Sequence, residues 1–455
     1  MIIMNMFIDR EEEMKRLMEI AESDRAELVI IYGRRRVGKS RLLTVFAART
    51  DALYLLADTS DSILDIFSRQ IRDDFVRFGT WEDFFEYFYR SDRKILILDE
   101  FQYLYNINKA WPTILQRWWE RFKETDKKII LSGSIISTIN RISRGYGSAL
   151  YGRKTAEMEV RPLRFGFIRE FLPSYAMDDL IRTYAVLGGV PRYLEEFSPS
   201  LSLRENIRSR MLEKTSFLYN EPMNLLFEEF RDPAPYTSII MAIVQGNTRF
   251  NEISQFSHMS TGKLPRYLMT LERVGIIKKE VPVTEKKVRT KNTRYAVKDN
   301  FFRFWFRYVF PEKTGIEMGL VDELMEEIDG DIDNYVSRVF ESIVMEVLAE
   351  TGRYGKVGRW WLKGEEIDIV ALNERKKEIL FGEAKWRNRP LGWNVVEGLM
   401  RKKELVNWHN GERKERFLLI SKSGFTKKCL EMMEQEGIMH WDLGDMERIV
   451  GEGVG

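Results

Sequence analysis

Three groups of residues in this sequence have the types and spacing to handle phosphates. The first is Gly33-Arg34-Arg35-Arg36-Val37-Gly38-Lys39-Ser40, the pattern G-x-x-x-x-G-K-[ST]. Its glycines let backbone amides cradle phosphate oxygens, Lys39 reaches the β- and γ-phosphates, and the Ser40 hydroxyl is placed for Mg²⁺. An apolar run, Leu28–Tyr32, precedes it and a helical run, Lys39–Arg49, follows, so a helix N-terminus adds partial positive charge. Gly33, Arg36, Val37, Gly38, Lys39, Ser40 and Arg41 are the candidate nucleotide contacts.

The second group is Lys94-Ile-Leu-Ile-Leu-Asp99-Glu100. An apolar strand ending in two carboxylates puts them at the carboxyl edge of a sheet, where ligands bind in open α/β folds. Asp99 would hold Mg²⁺ through water, and Glu100 could polarise an attacking water. Ser134 ends the next strand-like run and could sense the γ-phosphate. Arg153, in Leu150-Tyr-Gly-Arg153, could act as an arginine finger in cis or in trans, which leaves a homo-oligomer open.

The third group lies near the C-terminus. Two apolar runs, one around Asp368 and one around Glu383, flank the polar stretch Asn373–Glu378 and predict a hairpin. With the turn centred between Arg375 and Lys376, Asp368 faces Glu383 across the strands, and Lys385 shares the face of Glu383. Two carboxylates and a lysine suit a metal-dependent phosphodiesterase: the acids bind Mg²⁺, and Lys385 positions the nucleophile or stabilises the transition state. Glu341, on a preceding helix read as Tyr335–Leu348, is a candidate further ligand. The bland alternative is a salt-bridged hairpin without metal.

These groups need elements to position them. Leu28–Tyr32, Leu53–Ala57, Lys94–Leu98 and Lys128–Ser132 read as buried strands alternating with helices, including Trp111–Lys123, which predicts a parallel α/β sheet. Residues 160–230 read as helical. Three helices (Tyr236–Gln245, Arg249–Phe256, Thr261–Val274) and two strands (Ile276–Val283, Arg294–Val297) then outline a winged helix-turn-helix. Residues 278–298 carry eight basic and two acidic side chains. Lys286, Lys287, Arg289, Lys291 and Arg294 are the candidate DNA contacts, since each phosphate neutralised releases a counterion. The aromatic run Phe301–Phe310 reads as a buried helix, and the acidic stretch Glu317–Asp333 as a linker.

The totals agree with several domains. The chain has 455 residues, 44% hydrophobic, enough for more than one core. Lys plus Arg number 72 and Asp plus Glu 70, a net charge of +2, so any nucleic-acid surface must be local. One Cys and three dispersed His exclude a disulfide scaffold and a thiolate zinc site. No apolar run is long enough for a membrane span, and the start lacks the pattern of a secretory signal, so a cytoplasmic location is expected.

Phe7-Ile-Asp-Arg10-Glu11, the phosphate loop, Leu98-Asp-Glu-Phe-Gln102, Leu150-Tyr-Gly-Arg153 and Gly188-Gly-Val-Pro191 together resemble the archaeal ATPase family, within the AAA+-like STAND group, over about residues 5–310. The resemblance implies ATP as the nucleotide, a nucleotide-controlled switch, and Arg10 and Pro191 near the adenine. About residues 335–425 resemble the PD-(D/E)XK nuclease superfamily, with Ile367 where that motif has Pro. The expected architecture is a P-loop ATPase core (1–160), a helical lid (161–232), a winged helix (233–312), a linker (313–334) and a restriction-endonuclease-like α/β domain (335–455). The expected function is ATP hydrolysis coupled to DNA binding and metal-dependent cleavage. A non-nucleolytic regulator built on the same folds, and a signalling ATPase independent of DNA, are the alternatives.

Overall fold

Leu28, Val29, Ile30 and Ile31 are all buried, so both faces of their strand are covered, as a parallel sheet between helices requires. In the computed structural model, which describes residues 8–71, 76–135, 138–139, 142, 150–285 and 292–453, this strand is an interior one, with a neighbour on each side. The residues fall into two compact units. The first holds the chain up to Leu163 with the short segments Val190–Arg192 and Glu228–Arg231, and the second holds the remainder.

The first unit contains α1 (Glu11–Glu22), β1 (Glu27–Tyr32), α2 (Lys39–Thr50), β2 (Leu53–Leu56), α3 (Ile63–Ile71), α4 (Trp81–Arg90), β3 (Ile95–Asp99), α5 (Gln102–Ile107), α6 (Trp111–Phe122), β4 (Lys128–Gly133) and β5 (Ala156–Glu159). The strands form one sheet in the order β2–β3–β4–β1–β5, every neighbour parallel. Alternate strand residues feed two cores. Val29, Ile31, Ile97 and Ile130 pack with α1 and α2. Leu28, Ile30, Leu96 and Leu131 pack with the aromatic faces of α4 and α6, where Phe84, Phe85, Trp111 and Phe122 are buried. The sequence pattern does not mark α1, α3, α4, α5 or β5. Thr80 starts α4 with a capping box to Asp83, and β5 is short and half polar because it sits at the sheet edge.

In the second unit, helices Ala234–Val244, Phe250–Phe256 and Leu264–Arg273 lead into the antiparallel hairpin β6 (Ile277–Glu280) and β7 (Arg294–Val297). Phe301–Phe310 is buried apart from its two arginines and Phe310: Arg303 lies over the Tyr335 ring and Arg307 pairs with Asp331. The expected acidic linker is instead helical. Residues Val321–Glu350 form one continuous 30-residue helix, because Leu324, Met325 and Ile328 carry the apolar stripe of its second half back into the acidic stretch.

That helix packs on a mixed sheet ordered β12–β11–β10–β9–β8, made of β8 (Lys356–Leu362), β9 (Glu365–Asn373), β10 (Glu378–Lys385), β11 (Lys414–Ser421) and β12 (Met439–Trp441). β8–β9–β10 run antiparallel, and β10–β11–β12 run parallel. Among the described residues no helix is long and apolar enough to cross a membrane.

Candidate functional site: a phosphate loop and a carboxylate–lysine cluster

The phosphate loop joins β1 to α2, and its conformation explains its glycines. A Cβ on Gly33 would lie 2.2 Å from the Val160 carbonyl oxygen, since Val160 bonds back to Tyr32 at the end of β1. Gly38 has φ +95°, and a Cβ there would meet only open space, so the backbone is free to approach a ligand. Arg36 also adopts a left-handed backbone, φ 72°. Lys39 is buried, and its ammonium donates to the carbonyls of Gly33 (2.9 Å) and Arg34 (3.0 Å). Burial pushes its pKa down to about 8 against the opposing pull of Glu100 and Asp99. Ser40 and Arg41 are exposed in the first turn of α2, and Val37 is buried.

Parallel pairing puts the carboxyl ends of β1, β3 and β4 along one edge. Asp99 ends β3, fully buried, accepting from the Tyr54 hydroxyl (2.7 Å) and the Glu100 amide (3.0 Å). Glu100 has φ 54°, and its carboxylate accepts from Ser134 Oγ (2.7 Å) and from the Gln102 amide. Gln102 closes the Leu98–Gln102 motif of the sequence, whereas only its place on the strand beside Asp99 could have flagged Tyr54. The donor set fits a magnesium nucleotide: hard oxygens at Ser40 and Asp99, an ammonium, and a loop open at Gly38.

Arg10 is buried and donates to the Val37 carbonyl (2.8 Å) and the Arg161 carbonyl (2.9 Å), so it braces the loop. Arg153 is paired with Glu120 on α6 (3.3 Å). Pro191 opens the short helix Pro191–Leu194.

In the second unit the β9–β10 register is the one expected: Asn373 pairs with Glu378 and Ile369 with Gly382, which carries Asp368 opposite Glu383. Lys385 Nζ lies 2.7 Å from Asp368 and also bonds Glu383, and Lys402 reaches Glu383 at 2.7 Å. Lys402, from helix Trp393–Lys403, went unnoticed in the sequence because nothing local ties it to β10. Burial, reinforced by the charge of Asp368, raises the Glu383 pKa. Burial opposes but does not prevent the lowering of the Asp368 pKa by Lys385.

Glu341, the candidate further ligand, is ion-paired. Arg359 is the residue at the register shift between Gly358 and Trp360; it is buried, and its guanidinium pairs with Glu341. Burial still pushes the Glu341 carboxyl up to about 7. Among the described residues no three His, Cys, Asp or Glu side chains are grouped to hold a metal.

The expected DNA-facing cations divide. Lys286, Lys287, Arg289 and Lys291 lie outside the described residues. Arg294 is engaged within the protein: it pairs with Glu366 (3.0 Å) and lies over the Trp361 ring (4.5 Å). Trp361 Nε1 donates to the Asn292 carbonyl, and the Val283 amide donates to the Arg359 carbonyl, so the β6–β7 hairpin is fastened to β8.

A phosphate loop at the head of an all-parallel sheet, with an Asp-Glu pair two strands away, defines a P-loop ATPase domain. Residues 7–197 match the family profile of an ATPase domain predominantly from Archaea. Residues 305–403 match a family of archaeal and bacterial proteins of unknown function. The chain is 36% identical over 421 residues to the uncharacterized protein MJECL04 of Methanocaldococcus jannaschii, spanning 90% of this chain and 94% of that one, and it belongs to the same family. Solved structures similar in part are the ORC2 protein of Aeropyrum pernix in ADPNP–ADP complexes and Cdc6p of Pyrobaculum aerophilum. The first has TM-score 0.47 and 12% identity over 71% of this chain and 95% of that one. The second has TM-score 0.33 and 13% identity over 70% and 94%.

Proposed function

We propose that this protein is an ATP-binding and ATP-hydrolysing switch of the AAA+/STAND type whose nucleotide state governs how its C-terminal half engages DNA. The observation that carries the reading is the convergence of Lys39, Asp99, Glu100 and Ser134 at one sheet edge. Lys39 neutralises the β- and γ-phosphates, Glu100 orients the attacking water, and Ser134 holds Glu100. Ser40 and Asp99 would hold Mg²⁺, which would supply charge neutralisation at the phosphates. Arg10 and Pro191 belong to the adenine side, and Arg153 serves as an arginine finger, in a homo-oligomer if it acts in trans. ATP turnover by the purified chain should vanish in Lys39→Ala; unchanged turnover would refute the reading.

In the second unit we read the three helices and hairpin as a winged helix and the mixed sheet as nuclease-like. Asp368 and Glu383 are then the metal ligands, and Lys385 acts on the nucleophile. A second reading, in which this domain binds without cleaving, is favoured by one observation: Arg359 takes Glu341, and Lys385 and Lys402 already neutralise the two carboxylates. Incubating varied DNA substrates with the chain and Mg²⁺ or Mn²⁺, with and without ATP, separates the two. Cleavage lost in Asp368→Ala supports the nuclease; uncut DNA throughout supports the binding module.

A further inference from the structure

Tyr54 has no place in the phosphate-loop pattern, yet it bonds the aspartate of the metal site. It lies on β2 opposite Ile97, and the next residue but one on β2, Leu56, pairs with Asp99. Strand side chains alternate, so Tyr54 and Asp99 point to the same face, the one covered by α2. The phenol donates 2.7 Å to Asp99 Oδ2, while the Glu100 amide occupies Oδ1. Ser40 and Thr44, one turn apart on α2, lie near the same phenol, and Thr44 Oγ1 itself donates to the Ser40 carbonyl. A carboxylate oxygen has two acceptor positions, so one donor on each leaves Asp99 able to accept from a metal-bound water.

We propose that Tyr54 is a positioning residue for the metal half of the nucleotide site, holding Asp99 through its hydroxyl and fixing the carboxylate before Mg²⁺-nucleotide arrives. The proposal rests on the magnesium-ATP reading above. Groups that orient metal ligands typically change metal affinity by about 10–100-fold when removed. Tyr54 makes no contact that would select the phosphates themselves, so nucleotide binding without metal should not depend on its hydroxyl.

The test measures the affinity of the whole chain for a fluorescent ATP analogue, once with Mg²⁺ and once with EDTA. In Tyr54→Phe the tightening due to Mg²⁺ should shrink by about tenfold while the affinity in EDTA stays within about twofold. Asp99→Asn should remove the tightening, and adding Tyr54→Phe to it should change nothing further. Tyr54→Met, which loses the hydroxyl with a different shape, should behave as Tyr54→Phe does, and serves if the latter folds poorly by thermal melting. Full Mg²⁺ tightening in both variants, or an equal loss with and without metal, overturns the proposal. If the wild-type chain binds no nucleotide, or binds it equally with and without Mg²⁺, the parent reading falls and this one with it.

Discussion

The Ser134 hydroxyl donates a 2.7 Å hydrogen bond to the Glu100 carboxylate, joining the loops that leave β3 and β4. Gln102 donates to the same oxygen, so the candidate general base is held by two neutral donors. Glu100→Gln keeps the size and removes the base. ATP should still bind, with turnover lowered by about 10²–10⁴-fold. Ser134→Ala deletes one bond to a charged group, worth about 1.5–3 kcal/mol, and should cost roughly 10–100-fold in turnover. Steady-state ATP turnover beside a binding titration checks both. Wild-type turnover in Glu100→Gln would remove it from the mechanism.

Lys39 predicts a pH dependence. Burial holds its ammonium at about 8 in the free chain, and bound phosphates would raise it by favouring the charged form. Nucleotide affinity is therefore flat below pH about 8. It should fall as pH rises above that value, up to about tenfold per unit, until the bound-state pKa is reached. Titrations at pH 7, 8 and 9 with a fluorescent analogue measure this. An affinity that rises with pH contradicts the assigned role.

Gly33→Ala tests the close packing under the loop. The new Cβ would sit 2.2 Å from a backbone oxygen that cannot swing away, because the Val160 amide is tied to Tyr32. Overpacking of this kind costs about 1–3 kcal/mol, and urea denaturation should show it. Gly38→Ala has open space but a left-handed backbone, so its penalty should come from φ alone and be smaller.

Much of the first site is legible in sequence because it is local: the phosphate loop is eight consecutive residues, and Asp99 and Glu100 end an apolar run. The Asp368–Glu383 register is legible too, because a short polar turn between two apolar runs leaves few ways to pair them. What resists reading comes from distant chain segments. Tyr54 reaches Asp99 through strand order, Lys402 reaches Glu383 from a helix 19 residues on, and Arg359 is turned inward by a register shift. The acidic stretch 317–333 misleads because its sparse apolar residues are read against its charge rather than at helical spacing, where they join the stripe of Val336, Val339 and Phe340.

Arg294 separates a structural cation from a DNA contact. Its guanidinium is engaged by Glu366 and the Trp361 ring, with about one-fifth of the side chain exposed. Arg294→Ala should therefore lower stability by about 1–2 kcal/mol and leave the salt dependence of DNA binding unchanged. Trp361→Ala, which also loses a buried ring, should cost about 3–5 kcal/mol. A flatter salt slope in Arg294→Ala, with wild-type stability, would show that the arginine meets phosphate after all.

The carboxylate–lysine cluster should announce a metal through protons. Without metal, Lys385 bridges Asp368 and Glu383, while burial and the Asp368 charge raise the Glu383 pKa, so this site retains a proton to higher pH than an ordinary glutamate. A divalent ion needs both acids ionised, so binding should weaken, and release a proton, as pH falls into the range where Glu383 takes one up. Calorimetric titration of Mn²⁺ in two buffers of different ionisation enthalpy measures that release. Glu383→Gln should abolish the binding. Lys402→Met removes one competing ammonium and should tighten it, which a merely structural salt bridge would not do. Mn²⁺ binding that is undetectable in the wild type and in Lys402→Met would leave the cluster as an ion-paired core of a non-cleaving domain.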